Sequence, residues 1–127
     1  MIRSKISIGI GFLIEDEIQC NNFLKCGDSL PSEETSFPFY TIRENQTGMV
    51  LPIYISSVPE KVTIFDRDMP PSFRIEILLP PDLAQYQLVD VKLSVDDKLN
   101  IHVNAECNSN LFTTVYQVDD WCKQNNE

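Results

Sequence analysis

The chain has 127 residues and a formal net charge of -9, from Lys+Arg 10 and Asp+Glu 19; this length suits one domain that buries its own core without disulfide or metal staples. A negative balance of that size repels phosphate backbones and anionic lipid, so neither nucleic acid nor a membrane surface is an expected partner. No stretch approaches the roughly 20 consecutive apolar residues of a membrane-spanning helix.

Near the start, Arg3 and Lys5 precede the apolar run Ile6 to Ile14, which imitates a secretory signal. Glu15-Asp16-Glu17 follows directly and no small-x-small cleavage pattern is present. The run therefore reads as a strand, and a cytoplasmic location is expected. Ile6, Ile8 and Ile10 alternate, while Gly9 and Gly11 mark a bend or a close approach of another backbone. Ile18 to Lys25 reads as the return strand, Gly27-Asp28-Ser29 as a turn, and Ser32 to Ser36 as an exposed polar connection.

Phe39 to Ile55 places two apolar-rich runs around the polar Arg43-Glu44-Asn45-Gln46-Thr47-Gly48, the pattern of a hairpin. On its second arm Met49, Leu51, Ile53 and Ile55 fall two apart, which gives the strand one apolar face. The run Val62 to Phe65 is a short strand, and Asp66 to Ser72, with Pro70-Pro71, is a loop because proline lacks the donor a helix interior needs. Phe73, Ile75, Ile77 and Leu79 alternate up to Pro80-Pro81. Val89, Val91, Leu93 and Val95, then Asp96-Asp97-Lys98, then Leu99, Ile101, Val103 and Ala105 predict an antiparallel hairpin with one buried face. A last strand spans Leu111 to Val118, and Asp119-Asp120 stands where a helix start would be capped.

Short strands, frequent turns and almost no helical periodicity predict an all-β, two-layer antiparallel β-sandwich as a single domain over 1–127. Residues 119–127 would supply at most the start of a C-terminal helix, with Trp121 as an anchor packed on the sandwich.

Residues for chemistry are scarce. Cys20, Cys26, Cys107 and Cys122 form no C-x-x-C pair, and with one histidine they make no tetrahedral zinc set. Four free thiols are expected. His102 lies between Ile101 and Val103, so alternation turns it away from the apolar face toward solvent. There is no G-x-S-x-G, phosphate-cradling glycine loop or H-E-x-x-H. Read from its residues alone, the chain is a non-enzymatic β-domain with no cofactor and no catalytic or metal residues.

The order Ser7-Ile8-Gly9-Ile10, Leu30-Pro31 and Phe39-Tyr40-Thr41-Ile42-Arg43-Glu44-Asn45-Gln46 resembles the β-subdomain of the substrate-binding domain of the 70-kilodalton heat-shock chaperones, the DnaK-like family. Members of that family show Ser-Leu-Gly-Ile, Ile-Pro and Phe-x-Thr-Ala-x-Asp-Asn-Gln in this order. Leu79-Pro80-Pro81, Val89 to Asp96 and Leu99 to Ala105 are similar to the family's Ile-Pro-Pro and its following paired strands.

The resemblance implies a β-sandwich that grips an extended apolar peptide. By position, Ile10, Phe39, Met49 and Leu51 match the family's pocket-lining residues, and Leu13 and Ile42 match the two that arch over the peptide backbone. The bland reading of all six is ordinary core. Gly11 to Glu17 replaces the family's Glu-Thr-x-Gly-Gly, which implies a longer first loop. ATP hydrolysis in the family belongs to a separate domain, so an excised or separately encoded client-binding module, coupled elsewhere to ATP and to J-domain cochaperones, is expected. The expected partners are unfolded or extended hydrophobic segments with basic flanks. The alternative is a β-sandwich interaction or scaffold domain that has lost peptide binding.

Overall fold

The computed structural model describes residues 2–118. The expected helix start over 119–127, with Trp121 and Cys122, lies outside them. Among the described residues the elements are strands: β1 (Ile2–Arg3), β2 (Ser7–Ile14), β3 (Glu17–Leu24), β4 (Ser29–Leu30), β5 (Thr35–Tyr40), β6 (Gly48–Ser56), β7 (Val62–Asp66), β8 (Phe73–Leu78), β9 (Leu88–Val95), β10 (Asn100–Cys107) and β11 (Asn110–Gln117). They form a five-stranded sheet β7-β3-β2-β6-β8, a four-stranded sheet β11-β10-β9-β5 and the two-stranded β1-β4. The fold class is the all-β antiparallel one expected of a β-sandwich.

The chain divides into two compact units, Met1–Ser32 with Val50–Ile75 and Glu33–Met49 with Glu76–Glu127. In the first unit β2 is central. Ile8 stands opposite Ile55 and Ile10 opposite Ile53, so these side chains share one face of the sheet. Ile8, Ile10, Leu51 and Ile53 are buried there. The other face carries the row Leu13, Ile18 and Phe65 across β2, β3 and β7. On that side Ile18, Cys20 and Tyr54 form a second buried cluster with Phe65 against it. The Tyr54 and Phe65 rings stack at a centroid distance of 5.1 Å and an angle of 24°.

Gly9 and Gly11 make room for that second face. A Cβ at Gly11 would stand 2.7 Å from Tyr54 Cδ1, and one at Gly9 would stand 2.6 Å from the Asn21 carbonyl oxygen. The expected approach of another backbone is found at Gly9, together with the Cys20 and Asn22 side chains and beside the register shift between Ile8 and Gly9, whereas at Gly11 the neighbours are side chains.

In the second unit the alternation read from the sequence is reproduced residue by residue. Val89, Val91, Leu93, Val95, Ile101, Val103 and Ala105 are buried. Val95 pairs with Ile101, Leu93 with Val103 and Val91 with Ala105, which is the predicted hairpin. Leu99 adopts a positive φ of 61° inside the turn, so the returning strand begins one residue later, at Asn100.

One expected pairing is overturned. Phe39 to Ile55 is not a hairpin: β5 pairs with β9 and β6 pairs with β2, in different sheets. Apolar alternation on both arms marks a buried face for each strand and says nothing about its neighbour. The polar connection from Ser32 to Ser36 is also shorter than expected, because β5 starts at Thr35 and pairs it with Leu93.

Candidate functional site

The six residues implicated by resemblance fall into distinct environments. In the first unit Ile10 is 1% exposed and Leu51 is 2% exposed. They share a face of neighbouring strands, since Ile10 opposes Ile53 and Leu51 lies two residues from Ile53. Leu13 is 62% exposed. It projects from the face of β2 opposite to Ile10, in the row with Ile18 and Phe65. In the second unit Phe39 is half-buried opposite Val89, Met49 is half-buried on β6, and Ile42 is 69% exposed in the connection after β5.

The longer first loop implied by resemblance does not form. β2 and β3 run on to a two-residue turn, with Ile14 opposite Glu17. Glu15 and Asp16 both take positive φ, 49° and 68°, as the tight turns that match strand twist require. Arg67 Nη1 lies 2.6 Å from Asp16 Oδ1 beside this turn, with both side chains largely in solvent. Leu13 is thus a strand residue near a hairpin tip.

The connection 41–47 in the second unit is held by the residues that carry the resemblance. Thr41 is buried. Its Oγ1 donates to the Ala84 carbonyl at 2.7 Å and accepts the Gln87 N–H at 2.8 Å. The Thr41 N–H donates to the Gln87 carbonyl at 3.0 Å, and its own carbonyl accepts the Tyr86 N–H at 2.9 Å. Gln46, 9% exposed, accepts the Ile42 N–H on Oε1 at 2.9 Å and donates from Nε2 to the Gly48 carbonyl at 2.9 Å. Asn45 has φ 57°, and its N–H donates to the Leu83 carbonyl at 2.8 Å. Polar side chains near both ends of the connection thus take up backbone groups of Ile42, Gly48, Ala84 and Gln87.

This scaffold presents apolar surface. Tyr40 opposes Leu88 at the end of the β5–β9 pair. Ile42 lies just beyond, and the Gln85 side chain donates from Nε2 to its carbonyl at 3.1 Å. Tyr40, Ile42, Tyr86 and Leu88 are 44–72% exposed. Composition alone could not reveal this patch, because strand alternation places Tyr40 and Leu88 on the side away from the buried row only once their pairing is known.

Asp96 and His102 meet as well, a pairing missed from the sequence. His102 Nε2 lies 2.8 Å from Asp96 Oδ2, and the same carboxylate accepts the Lys98 N–H, the Asn100 N–H and the Asn100 Nδ2 at 2.9 to 3.1 Å. Burial pushes the Asp96 carboxyl up, but the His102 bond and these further hydrogen bonds outweigh it and hold the group well below the usual carboxylate range. The pair closes a turn, and the third side chain on the carboxylate is the amide of Asn100. His102 itself is partly exposed, as alternation predicted.

Cys20, Cys26 and Cys107 are unpaired, as expected; Cys122 lies outside the described residues. Burial pushes the Cys20 thiol up to about 12 and raises the Cys107 thiol too. Thiols of that kind are poor nucleophiles. Among the described residues no three His, Cys, Asp or Glu side chains converge as a metal site. The described residues include concave surface in each unit. In the second unit a cavity of about 270 Å³ lies among Leu78, Pro80, Val89, Cys107, Leu111 and Phe112, and in the first a shallow depression lies beside Ile64, Phe65, Asp66 and Met69. No family model matches the sequence, and no curated protein matches it either.

Proposed function

We propose that this chain is a client-binding module that holds extended hydrophobic polypeptide segments, in the manner of the substrate-binding domain of the 70-kilodalton heat-shock chaperones, and that it has no ATP hydrolysis of its own. The observation that carries this reading is the connection 41–47. The motif residues Thr41 and Gln46 act there as buried staples. The arch position, Ile42, is held out to solvent among Tyr40, Tyr86 and Leu88. Exposed apolar and tyrosine side chains suit polypeptide contact. Leu13, the other arch position, is also exposed on a strand.

A second reading, an interaction or scaffold domain without peptide binding, draws on Ile10 and Leu51. Both are as buried as any core residue.

Burying one leucine yields about 1.5–3 kcal/mol, and each backbone hydrogen bond adds roughly 0.5–1.5 kcal/mol net. After the costs of association and peptide ordering, micromolar affinity, about -8 kcal/mol, is the expected scale. The test is a fluorescence-anisotropy titration of a labelled extended Leu-centred peptide against the wild type, Met49→Glu and Ile42→Ser. Both variants should stay folded and bind at least about tenfold more weakly, since each loses apolar burial. Peptides with Lys or Arg flanks should associate faster at low salt than acidic-flanked ones, given the net charge of -9. Absence of wild-type binding to every such peptide would leave the scaffold reading.

A further inference from the structure

The sheet edges differ in how they are protected. β5 carries Pro38, β7 ends in Asp66, and β8 contains Arg74 and Glu76. Proline and charge are usual means of blunting an edge. β11 has neither. Its eight residues, Asn-Leu-Phe-Thr-Thr-Val-Tyr-Gln, carry no charge and no proline, and its strand partner among the described residues is β10. Its outward side chains include Leu111, 65% exposed, and Val115, 52% exposed. In a chain with 29 charged residues such an edge stands out as the place where another strand can add.

We infer that β11 pairs antiparallel with β11 of a second copy of this chain, about a two-fold axis at Thr113. A register centred there sets Leu111 of each copy against Val115 of the other, and Thr113 against itself. The neighbouring strand argues for the same occupant: on β10, Glu106 opposes Leu111, Asn104 opposes Thr113 and His102 opposes Val115. Each outer row across the two copies then reads glutamate, leucine, valine, histidine, and the central row reads asparagine, threonine, threonine, asparagine. No like charges meet in any row. Two molecules of net charge -9 repel each other, and this register joins them along a neutral strand. The arrangement is self-complementary, as a two-fold interface must be.

Sedimentation equilibrium of the chain in reducing buffer, which prevents disulfide-linked pairs, tests this. A reversible dimer is expected. Leu111→Lys should weaken it about tenfold, because a charge replaces one side of an apolar cross-strand pair twice over. Thr113→Lys, which sets two like charges on the axis, should weaken it at least as much. The double variant Leu111→Lys/Val115→Glu brings opposite charges together across the axis and should recover most of the loss at low salt and less at high salt. All these positions are exposed, and unchanged urea midpoints of the monomer would confirm that folding is intact. A chain that stays monomeric at millimolar concentration, or a dimer indifferent to Leu111→Lys and Thr113→Lys, would overturn the inference. A double variant no tighter than Leu111→Lys alone would overturn the register. None of these outcomes depends on peptide binding, which anisotropy reads separately.

Discussion

Tyr54 lies against the backbone of Gly11 and is tied there by its hydroxyl, which donates to the Met69 carbonyl at 2.8 Å. The ring therefore cannot swing away without losing both that bond and its stacking on Phe65. Gly11→Ala should destabilise the protein by about 1–3 kcal/mol, the usual range for overpacking. Urea unfolding checks it. In a Tyr54→Leu background, which removes the ring, Gly11→Ala should cost less than it does in the wild type.

Gln46→Ala removes the acceptor of the Ile42 N–H and the donor to the Gly48 carbonyl at once. Stability should fall by about 1–3 kcal/mol if the freed backbone groups stay dry. Amide exchange at Ile42 should accelerate in step. Under the client-binding proposal the same variant should also weaken peptide binding, since the tip carrying Ile42 loses its brace.

Asp96 gives a pH dependence with a definite sign. Its carboxyl is held below the ordinary value of 3.8 in the folded chain, so its contribution is complete above that value and is lost as pH falls further toward the folded value. Urea midpoints measured from pH 6 to pH 2 should drop more steeply for the wild type than for Asp96→Asn, which cannot titrate.

The buried thiols act at the other end of the scale. Cys20 is pushed from 9.0 up to about 12 by burial. The unfolded chain ionises it first, so the contribution of Cys20 to stability is complete below about pH 9 and is lost progressively as pH rises toward 12. In a Cys122→Ser background, an aromatic disulfide reagent at pH 8 should titrate Cys26 rapidly and reach Cys20 and Cys107 only as the chain unfolds. Rapid reaction of three thiols would contradict their burial.

The strands were legible where alternation was unbroken, as from Val89 to Ala105. Strand partners were not, because period-two patterning names a face and leaves the neighbour open; β5 and β6 lie close in sequence and pair in different sheets. The site divides in the same way. Thr41 and Gln46 stood out by type and spacing, and both turn out to brace the same connection. Ile10 and Leu51 look alike whether they belong to a core or a pocket, and burial does not separate the two. The Asp96–His102 bond was hidden by a six-residue separation that only the hairpin turn brings together.

The pairing of β5 with β9 bears on how the chain is made. Thr35 meets Leu93 and Tyr40 meets Leu88, so during synthesis β5 waits for a partner that emerges dozens of residues later. Neither unit is continuous in sequence, and each needs residues from two separate segments. Contacts of such long range slow folding and leave strands bare in the meantime. Pro38, in the middle of β5, denies a stray strand a continuous row of donors through that interval. Replacing it with a β-branched residue should leave the finished fold nearly unchanged in stability and raise the fraction lost to aggregates during refolding.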